Sequence, residues 1–268
     1  MELINVSFFY YHRKMIPKII HYCWLSEEEY PTLIKKCIAS WKKHLPDYEF
    51  ILWDKAKFDI NSTIWTKQAY DHKKYAFASD YIRLYALYNY GGIYLDTDVE
   101  VLKTFDELLS LPYFIGNQQD NNIEAAVIGA KKESNWVLDC LKYYENKSFV
   151  SQNGKLNLKV LPEIMTNRIG KTYDFEILNN VNYNEMTSLF QRDKSFFLFP
   201  PKIFSPKNNE TGKMVDNTHS SFTIHHFNHS WYPFKSKLRL RLAEILGLKL
   251  TDFIINLLLL RKIRKWID

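Results

Sequence analysis

The chain has 268 residues, of which 46% are apolar and 16% aromatic, and this is enough to bury a sizeable hydrophobic core. The net charge is +6, but residues 235–268 hold nine Lys or Arg against three Asp or Glu, so the rest of the chain is neutral. This distribution argues against a nucleic-acid-binding core and indicates an anionic partner for the C-terminal segment alone.

The start of the chain divides at Met15. The opening "MELINVSFFYYHRKM" lacks the long apolar stretch and the small-residue cleavage site of a signal peptide. Met15 then opens "MIPKIIHYCWLS", which is typical of the beginning of a folded domain. We therefore interpret residues 1–14 as an upstream extension, residues 15–234 as the folded domain and residues 235–268 as a basic tail.

Three cysteines are present, and Cys23, Cys37 and Cys140 form neither a CxxC pair nor a metal-binding spacing. A sparse, odd number of cysteines is typical of a protein in the reducing cytoplasm. We expect them to be buried thiols without a functional role.

The first elements alternate between strand and helix. "KIIHYCW" (18–24) predicts a buried strand after Pro17, and "TLIKKCIASWKKHLP" (32–46) has helical spacing. "YEFILWD" (48–54) predicts a second strand. This order favours a Rossmann-like α/β unit with a mainly parallel sheet.

A longer helix precedes the most informative strand. "FASDYIRLYALYNYGG" (77–92) predicts a helix that Gly91 closes as a C-cap. Ser79 or Asp80 lies near its N-terminus, where a short side-chain oxygen can accept from free backbone N–H groups. Asp80 and Arg83 are three residues apart and therefore share a face of the helix. The strand that follows, residues 93–96, ends at two acids.

Further elements are predicted downstream with one gap. "IEAAVIGA" (123–130) favours a strand and "SNWVLDCLKYYEN" (134–146) a helix. Residues 147–220 are difficult to assign. "FTIHHFNHSW" (222–231) returns to a β-like pattern and contains three histidines and a tryptophan.

The acids of "GGIYLDTDVEV" (91–101), Asp96 and Asp98, form an Asp-x-Asp pair. A bare pair of this kind is more often two solvated acids in a turn. Here an apolar strand delivers the acids to the edge of a sheet, where open α/β folds bind ligands. Hard oxygen ligands suit Mg²⁺ or Mn²⁺, and such ions often also bind substrate phosphates.

Two other features leave alternatives open. His225 and His226 are adjacent, so on a strand they point to opposite sides and only one of them faces the acids. Trp24, after the first strand, is either a core residue or an aromatic platform for a nucleotide base. Residue type alone favours the core.

The basic tail also permits two interpretations. "KSKLRLRLAEILGLKLTDFIINLLLLRKIRKWID" interleaves basic clusters with Leu and Ile, which is typical of one or two amphipathic helices lying on anionic lipid. The alternative is a helix whose apolar side packs on the domain. No uncharged run approaches the roughly 20 residues that a membrane-spanning helix needs.

Four segments together resemble a known family, the DXD-motif glycosyltransferases of GT-A fold. This family includes bacterial capsular-polysaccharide transferases and fungal initiating mannosyltransferases, and it is distantly similar to glucosylating toxins. The segments occur in family order, and they are "IPKIIHYCW" (16–24), "ASDYIRLYALYNYGGIYLDTDVEV" (78–101), "LPEIMT" (161–166) and "HHFNHSW" (225–231). The resemblance implies that residues 15–234 form a GT-A domain, a Rossmann-like nucleotide-sugar-binding fold.

The resemblance also implies roles for individual residues. The implied donor-binding residues are Trp24, Ser79, Asp80, Arg83, Tyr94, Asp96, Ser230 and Trp231. The implied catalytic residues are Asp80, Arg83, Asp96 and Asp98. The metal, Mn²⁺ or Mg²⁺, is ligated by Asp98 and His226, with Asp96 near the ribose or bridged by water, and His229 is a second candidate ligand. Trp24 stacks on the base, while Ser230 and Trp231 close over the diphosphate.

The sequence departs from the family pattern at two positions. His229 stands where a small residue is usual, so it is either a further ligand or a bystander. Leu161 stands where Gly usually precedes the proline, which leaves the role of that loop open.

The implied activity is the retaining transfer of a hexose from a nucleoside-diphosphate sugar, with a UDP-sugar favoured, to a saccharide acceptor that is lipid-linked or free. We expect a role in capsular or surface polysaccharide synthesis, in the cytoplasm at the inner face of the membrane, with residues 235–268 on anionic lipid. The alternatives are an inactive carbohydrate-binding scaffold on the same fold and a metal-dependent phosphohydrolase. The second would group more Asp or His ligands near the sheet and lack the Trp24 segment.

Overall fold

A computed structural model describes most of the chain. The described residues are 15–118, 122–179, 186, 188–190, 192–209, 211–215, 218–228 and 234–264, with the side chains of 234–237, 240–241 and 258–264 excepted. Residues 1–14, the predicted upstream extension, lie outside them, as do His229, Ser230, Trp231 and Trp266.

Nine strands occur in the described residues. They are β1 (Ile19–Cys23), β2 (Glu49–Trp53), β3 (Gly92–Leu95), β4 (Val99–Val101), β5 (Tyr113–Asn117), β6 (Ile123–Ala130), β7 (Asp174–Ile177), β8 (Ser195–Leu198) and β9 (Thr223–His225). Five of them form the central sheet in the order β2-β1-β3-β6-β5, and β4-β9 and β7-β8 form two small sheets.

The direction of the central strands confirms the predicted α/β fold with a mainly parallel sheet. Strand β1 is parallel to β2 and to β3. Strand β6 is antiparallel to both β3 and β5, so β5 again runs in the direction of β3. Four of the five strands therefore share one direction, and β6 alone is reversed. The carboxyl ends of β1, β2 and β3 meet at one edge of the sheet.

Eight α-helices accompany the strands in the described residues. They are α1 (Thr32–His44), α2 (Ile64–Asp71), α3 (Tyr75–Tyr90), α4 (Asn135–Leu141), α5 (Leu161–Ile169), α6 (Pro201–Phe204), α7 (Phe234–Leu246) and α8 (Leu248–Arg264). The predictions for α1 and α3 are correct to within two residues at each end. The helix predicted over 134–146 is shorter, and the strand predicted over 222–231 is described only as Thr223–His225.

Helix α3 is the central helix, and it lies against β1, β3 and β6. Its buried residues include Asp80 and Arg83 beside apolar side chains. The helix begins at Tyr75, earlier than the sequence predicted, so Ser79 and Asp80 lie inside it and do not cap it. The Ser79 hydroxyl instead donates to Ala76 O at 2.8 Å.

Two glycines join α3 to β3 with no intervening loop. Gly91 has φ +66 and its N–H donates to Leu87 O, which confirms its predicted role as the C-cap. Gly92 has φ +106, and a Cβ there would lie 2.7 Å from Ile19 O of the neighbouring strand. Only glycine combines this backbone conformation with such a close approach. The pair therefore fixes where β3, and the acids after it, begin.

The core lies on both faces of the central sheet. On β3, Ile93 and Leu95 pack on the face of Trp41 from α1, whereas Tyr94 packs on the face of α3. This alternation is the ordinary period of two along a strand. All three cysteines are buried and free, as expected from the sequence.

His21 is a fully buried histidine in the middle of β1. Its Nδ1 accepts from the Trp53 indole N–H at 3.1 Å, so its Nε2–H donates to Gly91 O at 2.7 Å. Both hydrogen bonds need a neutral imidazole. Burial lowers the pKa of His21 to about 4, although the bond to Gly91 opposes this shift.

Helices α7 and α8 form a helical hairpin, which we call the C-terminal hairpin, around Gly247 at φ +80. The two helices pack against each other, and the Arg239 guanidinium of α7 donates to both carboxylate oxygens of Asp252 in α8 at 3.0 and 3.2 Å. Ala243 and Thr251 are fully buried. Within the described part of the chain, no helix is both long and apolar enough to cross a membrane.

The buried His21 predicts a pH dependence of stability. Its pKa is about 4 in the folded state and about 6.5 when unfolded, so between these values the unfolded chain binds the extra proton. The free energy of unfolding should therefore fall as the pH falls from 6.5 towards 4, by on the order of 3 kcal/mol from this residue.

Urea unfolding at pH 7 and pH 4.5 measures this contribution. His21→Gln retains a donor and an acceptor without the titration, so it should lose less stability than the wild type between the two pH values. His72→Gln, at an exposed position, is the matched control. Equal losses in wild type and His21→Gln would contradict the prediction.

Candidate metal and donor site

The two acids lie in the short connection between β3 and β4. Asp96 follows the last residue of β3, and its N–H donates to Ala126 O of β6 at 2.8 Å. The N–H of Val99 donates to Asp96 O at 3.0 Å, which closes a turn around the two carboxylates. The Asp-x-Asp pair is therefore held by backbone hydrogen bonds on both sides, at the carboxyl end of a central strand.

Strand β9 brings His225 to the same place from more than one hundred residues away in sequence. It pairs antiparallel with β4, and Val99 lies opposite His225. The His225 Nε2 is 3.5 Å from Asp98 Oδ1. Ligand atoms of Asp96, Asp98 and His225 all lie within 4.8 Å of one another. The structure thus selects His225 from the two alternatives that the strand pattern left open.

A turn after β9 completes the contact with Asp98. The N–H of Asn228 donates to Asp98 Oδ2 at 2.8 Å, and the N–H of His226 donates to Asp98 O at 3.0 Å. Phe227 between them has φ +50, which is uncommon for a residue other than glycine. Its ring centroid lies 4.0 Å from that of His225. This turn holds Asp98 against the end of β9.

These three side chains suit a divalent cation. Two carboxylates and one imidazole offer hard oxygen donors together with a nitrogen that binds Mn²⁺ well. These atoms lie within 4.8 Å of one another, and they would have to move closer together to bind an ion at ligand distances of about 2.1 Å. The side chains of Asp98 and His225 are 14% and 12% exposed, and that of Asp96 is 28% exposed, so the site opens on the side of Asp96.

The charges around Asp98 keep it ionised. Burial alone would raise the pKa of Asp98, but His225 and the N–H of Asn228 outweigh burial and lower it to about 2. Burial would lower the pKa of His225, but Asp98 and Glu124 raise it well above its usual value. Burial also raises the pKa of Asp96, although Arg83 works in the opposite direction. The nearly buried site therefore holds an ionised Asp98 next to a histidine whose protonated form is favoured.

Arg83 is the cation behind the acids, and its side chain is only 7% exposed. Its Nη2 lies 3.1 Å from Asp80 Oδ1 and 3.1 Å from Asp96 Oδ1. Its Nη1 donates to Ala125 O at 2.7 Å, and its guanidinium stacks 4.5 Å from the centre of the Tyr94 ring. Both terminal nitrogens of the guanidinium are thus engaged by the protein, although its buried Nε makes no hydrogen bond, and the group connects α3, the end of β3 and β6 around Asp96.

Asp80 connects the site to the "LPEIMT" segment. Its carboxylate accepts from the N–H of Leu161 at the start of α5. Burial raises the pKa of Asp80 to about 7, although Arg83 and this hydrogen bond oppose the shift. A carboxylate is favoured at a helix N-terminus. The loop whose role the sequence left open therefore supplies a backbone donor, and Leu161 itself is buried in the core.

Trp24 lies just beyond the carboxyl end of β1 and is half-buried. Its indole N–H donates to Glu28 O at 3.0 Å, and its ring packs edge-on against Tyr30 at 4.9 Å. Trp24 does not belong to either hydrophobic core cluster, in contrast to Trp41, Trp53 and Trp65. It is a fixed aromatic side chain at the edge of the sheet where the acids also lie.

His226, which the resemblance implied as a metal ligand, has a different environment. Its Nε2 lies 2.9 Å from Glu100 Oε2, which Lys36 Nζ approaches to 3.2 Å. His226 directly follows β9, and its N–H still pairs with Asp98 O, so the alternation of the strand continues and His225 faces Asp98 while His226 faces Glu100. His229, Ser230 and Trp231 lie outside the described residues. Sequence reasoning did not single out Glu124 of β6, whose Oε1 is 3.2 Å from His225 Nδ1.

Comparison with known proteins agrees with this geometry. Residues 31–115 match the family described as "Glycosyltransferase sugar-binding region containing DXD motif". This range contains Asp80, Arg83, Asp96 and Asp98 but neither Trp24 nor His225. The resemblance to the DXD-motif glycosyltransferases is thereby confirmed.

Several curated relatives are named as enzymes that transfer mannose or synthesise a mannosyl lipid. The chain is 31% identical over 154 residues to inositol phosphoceramide mannosyltransferase 3 of Schizosaccharomyces pombe, covering 53% of this chain and 42% of the relative. It is 29% identical over 147 residues to mannosyl phosphorylinositol ceramide synthase SUR1 of Saccharomyces cerevisiae, covering 51% and 37%. The chain therefore spans about two-fifths of the length of these relatives.

Two further similarities extend over more of the chain. Uncharacterized glycosyltransferase L373 of Acanthamoeba polyphaga mimivirus is 26% identical over 204 residues, covering 72% of this chain and 77% of the relative. Among solved structures, the PaToxG glycosyltransferase superposes with a TM-score of 0.47 at 23% identity, covering 63% of this chain and 75% of that one.

The geometry of Arg83 predicts a large structural effect of its removal. Arg83→Gln leaves Asp80 and Asp96 without their buried cation and should reduce the free energy of unfolding by about 3–5 kcal/mol. Because the cost arises from unpaired carboxylates, adding Asp80→Asn should restore part of the lost stability.

Chemical denaturation of the variants measures this effect. The matched control is Arg192→Gln, since Arg192 pairs with Glu176 at the same 3.1 Å but the two side chains are 56% and 42% exposed. This control should cost less than about 1 kcal/mol. Equal losses for the two arginines would show that Arg83 contributes no more than a surface ion pair.

Proposed function

We propose that this chain is a metal-dependent glycosyltransferase that moves a hexose from a nucleoside-diphosphate sugar to a saccharide acceptor. One observation carries the proposal: Asp96, Asp98 and His225 converge within 4.8 Å at the carboxyl end of β3, inside and next to the segment that matches the DXD glycosyltransferase region. The named relatives support a sugar as the transferred group.

Asp98, His225 and Asp96 are the proposed ligands of Mn²⁺ or Mg²⁺. A bound cation would offset the charge that develops on the leaving diphosphate. Asp98 is ionised in the folded protein and is fixed by the N–H of Asn228, so its carboxylate is preorganised as a ligand. Asp96, the most exposed of the three, is placed to meet the donor itself. Arg83 acts through Asp96 and Asp80, because its own side chain is buried.

The carboxylates of the site also bear on the stereochemistry that we propose. Asp80 is engaged by Arg83 and the N–H of Leu161, and Asp96 is engaged by Arg83. Glu124 lies behind His225 with an exposure of 2%. These acids are poorly placed to attack an anomeric carbon. We therefore favour retention by a same-face substitution, in which a leaving phosphate oxygen takes the proton of the acceptor hydroxyl.

Trp24 and Tyr94 complete the proposed donor site in different ways. Trp24 offers its half-buried ring for stacking on the base. Tyr94 is 1% exposed, and its ring packs against the Arg83 guanidinium. We therefore propose that it supports donor binding indirectly, by holding Arg83 in place. Ser79 is partly exposed on the same helix as Asp80. A UDP-sugar remains our favoured donor, and the mannosyltransferase names of the relatives make mannose the first hexose to test.

The acceptor that we propose is a saccharide joined to a lipid. One relative is named for inositol phosphoceramide and another for mannosyl phosphorylinositol ceramide, and both names describe ceramide lipids. A role in capsular or surface polysaccharide synthesis, at the inner face of the membrane, would use such an acceptor.

The C-terminal hairpin supports a position at the membrane. Among the hairpin side chains that the structure describes, the exposed large apolar ones are Leu238, Ile245, Leu246, Leu250, Phe253 and Leu257. The same segment carries the entire net positive charge of the chain. Exposed apolar residues interleaved with Lys and Arg are typical of surfaces that bind anionic lipid.

The metal proposal predicts the result of removing a ligand. Asp98→Asn keeps the shape of the side chain but loses its charge, so Mn²⁺-dependent hydrolysis of the donor should fall by roughly a thousandfold, or about 4 kcal/mol. Without metal the variant should still unfold cooperatively, at a melting temperature lowered by the loss of the ion pair between Asp98 and His225. The assay uses a panel of UDP- and GDP-sugars with Mn²⁺, with and without a saccharide acceptor.

Asp54→Asn is the matched control for this experiment. Asp54 follows β2 at the same edge of the sheet, and its carboxylate accepts from the N–H groups of Ala56 and Lys57. Its variant should keep wild-type turnover. Normal turnover of Asp98→Asn at saturating Mn²⁺ would refute the metal role, and absence of any donor turnover by the wild type would refute the transferase.

The membrane proposal predicts an effect of two exposed residues of the hairpin. Ile245 and Phe253 are 79% and 63% exposed, so Ile245→Ser with Phe253→Ser should leave the fold intact but reduce flotation with anionic vesicles. Binding of the wild type should also weaken with added salt, because surface charges are screened over roughly 8 to 10 Å.

The control pair lies outside the hairpin. Ile64 and Leu158 are each 53% exposed, and Ile64→Ser with Leu158→Ser should float as the wild type does. Flotation with phosphatidylcholine vesicles, with and without phosphatidylglycerol, separates the contribution of charge. If all three proteins float equally, the hairpin is not the membrane contact.

A further inference from the structure

Glu124 is a buried acid for which the fold alone gives little reason. It lies on the reversed strand β6 opposite Gly116 and is 2% exposed. Its Oε1 accepts from the N–H of Ala126 at 3.1 Å, a bond that a smaller neutral side chain would also make. Its Oε2 is buried without a hydrogen bond. Burial of a carboxylate is costly unless a partner compensates it.

The partner that faces Glu124 is His225. Glu124 Oε1 lies 3.2 Å from His225 Nδ1, and no Lys or Arg among the described residues forms an ion pair with Glu124. The Nδ1 atom is itself buried, and in this structure it makes no hydrogen bond of ordinary geometry. A small rotation of the ring would turn the 3.2 Å contact into a hydrogen bond that satisfies Nδ1 and gives Glu124 Oε1 a second donor beside the N–H of Ala126.

The two nitrogens of His225 therefore face two different carboxylates. Nδ1 faces Glu124, and Nε2 faces Asp98 at 3.5 Å. A histidine that binds a metal must present a lone pair on the nitrogen that faces the ion, and its other nitrogen then carries the proton. An acceptor at Nδ1 fixes the proton there and leaves Nε2 free for the site.

We propose that Glu124 is a positioning residue that holds His225 in the ring orientation and tautomer in which Nε2 can bind a divalent cation together with Asp96 and Asp98. This inference rests on the metal-dependent function proposed above. Carboxylates that orient a metal-binding histidine in this way raise metal affinity, and their loss typically costs about 10- to 100-fold.

The neighbouring histidine supplies a built-in control. His226 contacts Glu100 as His225 contacts Glu124, with the Nε2 of His226 2.9 Å from Glu100 Oε2. Glu124 of β6 contacts the last residue of β9, whereas Glu100 of β4 contacts His226, the residue that follows β9. Glu124→Gln and Glu100→Gln thus each neutralise a carboxylate that contacts a histidine, and only the first histidine adjoins the proposed metal.

The experiment measures Mn²⁺ binding directly, by titrating the full-length wild type and both variants and following free Mn²⁺ by electron paramagnetic resonance. Glu124→Gln should raise the dissociation constant about 10- to 100-fold, and Glu100→Gln should leave it unchanged. The Mn²⁺ concentration for half-maximal donor hydrolysis should rise in the same proportion in Glu124→Gln, with most of kcat retained at saturating Mn²⁺.

Thermal melts separate positioning from folding. Without metal, Glu124→Gln should melt within a few degrees of the wild type, whereas the rise in melting temperature that a fixed Mn²⁺ concentration gives should shrink. If Glu124→Gln does not fold, Glu124→Asp, which keeps the charge but withdraws it from Nδ1, should show the same loss of affinity.

The outcomes distinguish the inference from the function on which it rests. If the wild type binds Mn²⁺ and Glu124→Gln binds it equally well, the positioning role is overturned and the metal site stands. If Glu100→Gln loses affinity and Glu124→Gln does not, His226 is the ligand and the inference is overturned. If the wild type binds no Mn²⁺, the proposed function falls together with the inference.

Discussion

The buried guanidinium of Arg83 is the interaction on which the arrangement of the site depends. It reaches Asp80 on its own helix, Asp96 after β3, and the carbonyl of Ala125 on β6. Three elements that approach from different directions are therefore fixed to one planar group with a rigid set of donors. Arg83 lies on the buried side of Asp96 and neutralises its charge. The Asp96 carboxylate can therefore remain partly exposed while its orientation is fixed.

The second constraint is the pairing of β4 with β9, which brings His225 to the two acids, and no other histidine in the described part of the chain shares their cluster. Val99 lies opposite His225, and the turn after β9 returns two backbone N–H groups to Asp98. The site therefore joins residues that lie more than one hundred positions apart in the sequence. Backbone hydrogen bonds provide the precision that long side chains alone would lack.

The charges of the site are unevenly compensated. Asp80, Asp96, Asp98 and Glu124 are buried or nearly so, and Arg83 and His225 are the cations in contact with them. A protonated His225 balances part of the excess in the free protein. A divalent cation would take over this compensation when His225 is neutral, which links the unusual density of buried acids to the proposed binding of metal.

The sequence by itself determined five helices and strands within the first hundred residues and the acidic pair that follows them. Hydrophobic periodicity gave β1, α1, β2, α3 and β3 to within two residues, because each is defined by contacts of neighbouring residues with one core. The glycines at 91 and 92 fixed the end of α3, and the apolar strand after them placed Asp96 and Asp98 at a sheet edge. Residues 147–220 resisted assignment, since their short strands β7 and β8 depend on pairing with each other and carry no strong pattern of their own.

Only the tertiary structure decided which side chains meet. Adjacent histidines on a strand are equivalent in sequence, and the register of β9 against β4 determined that His225 faces Asp98 while His226 faces Glu100. Glu124 resembled any other acid in an apolar strand until the reversed direction of β6 placed it behind His225. Likewise, Arg83 could be assigned to a shared face with Asp80, but its burial against Ala125 and Tyr94 became evident only from the packing. These contacts join residues far apart along the chain, and strand register, on which they depend, is a property of the assembled sheet.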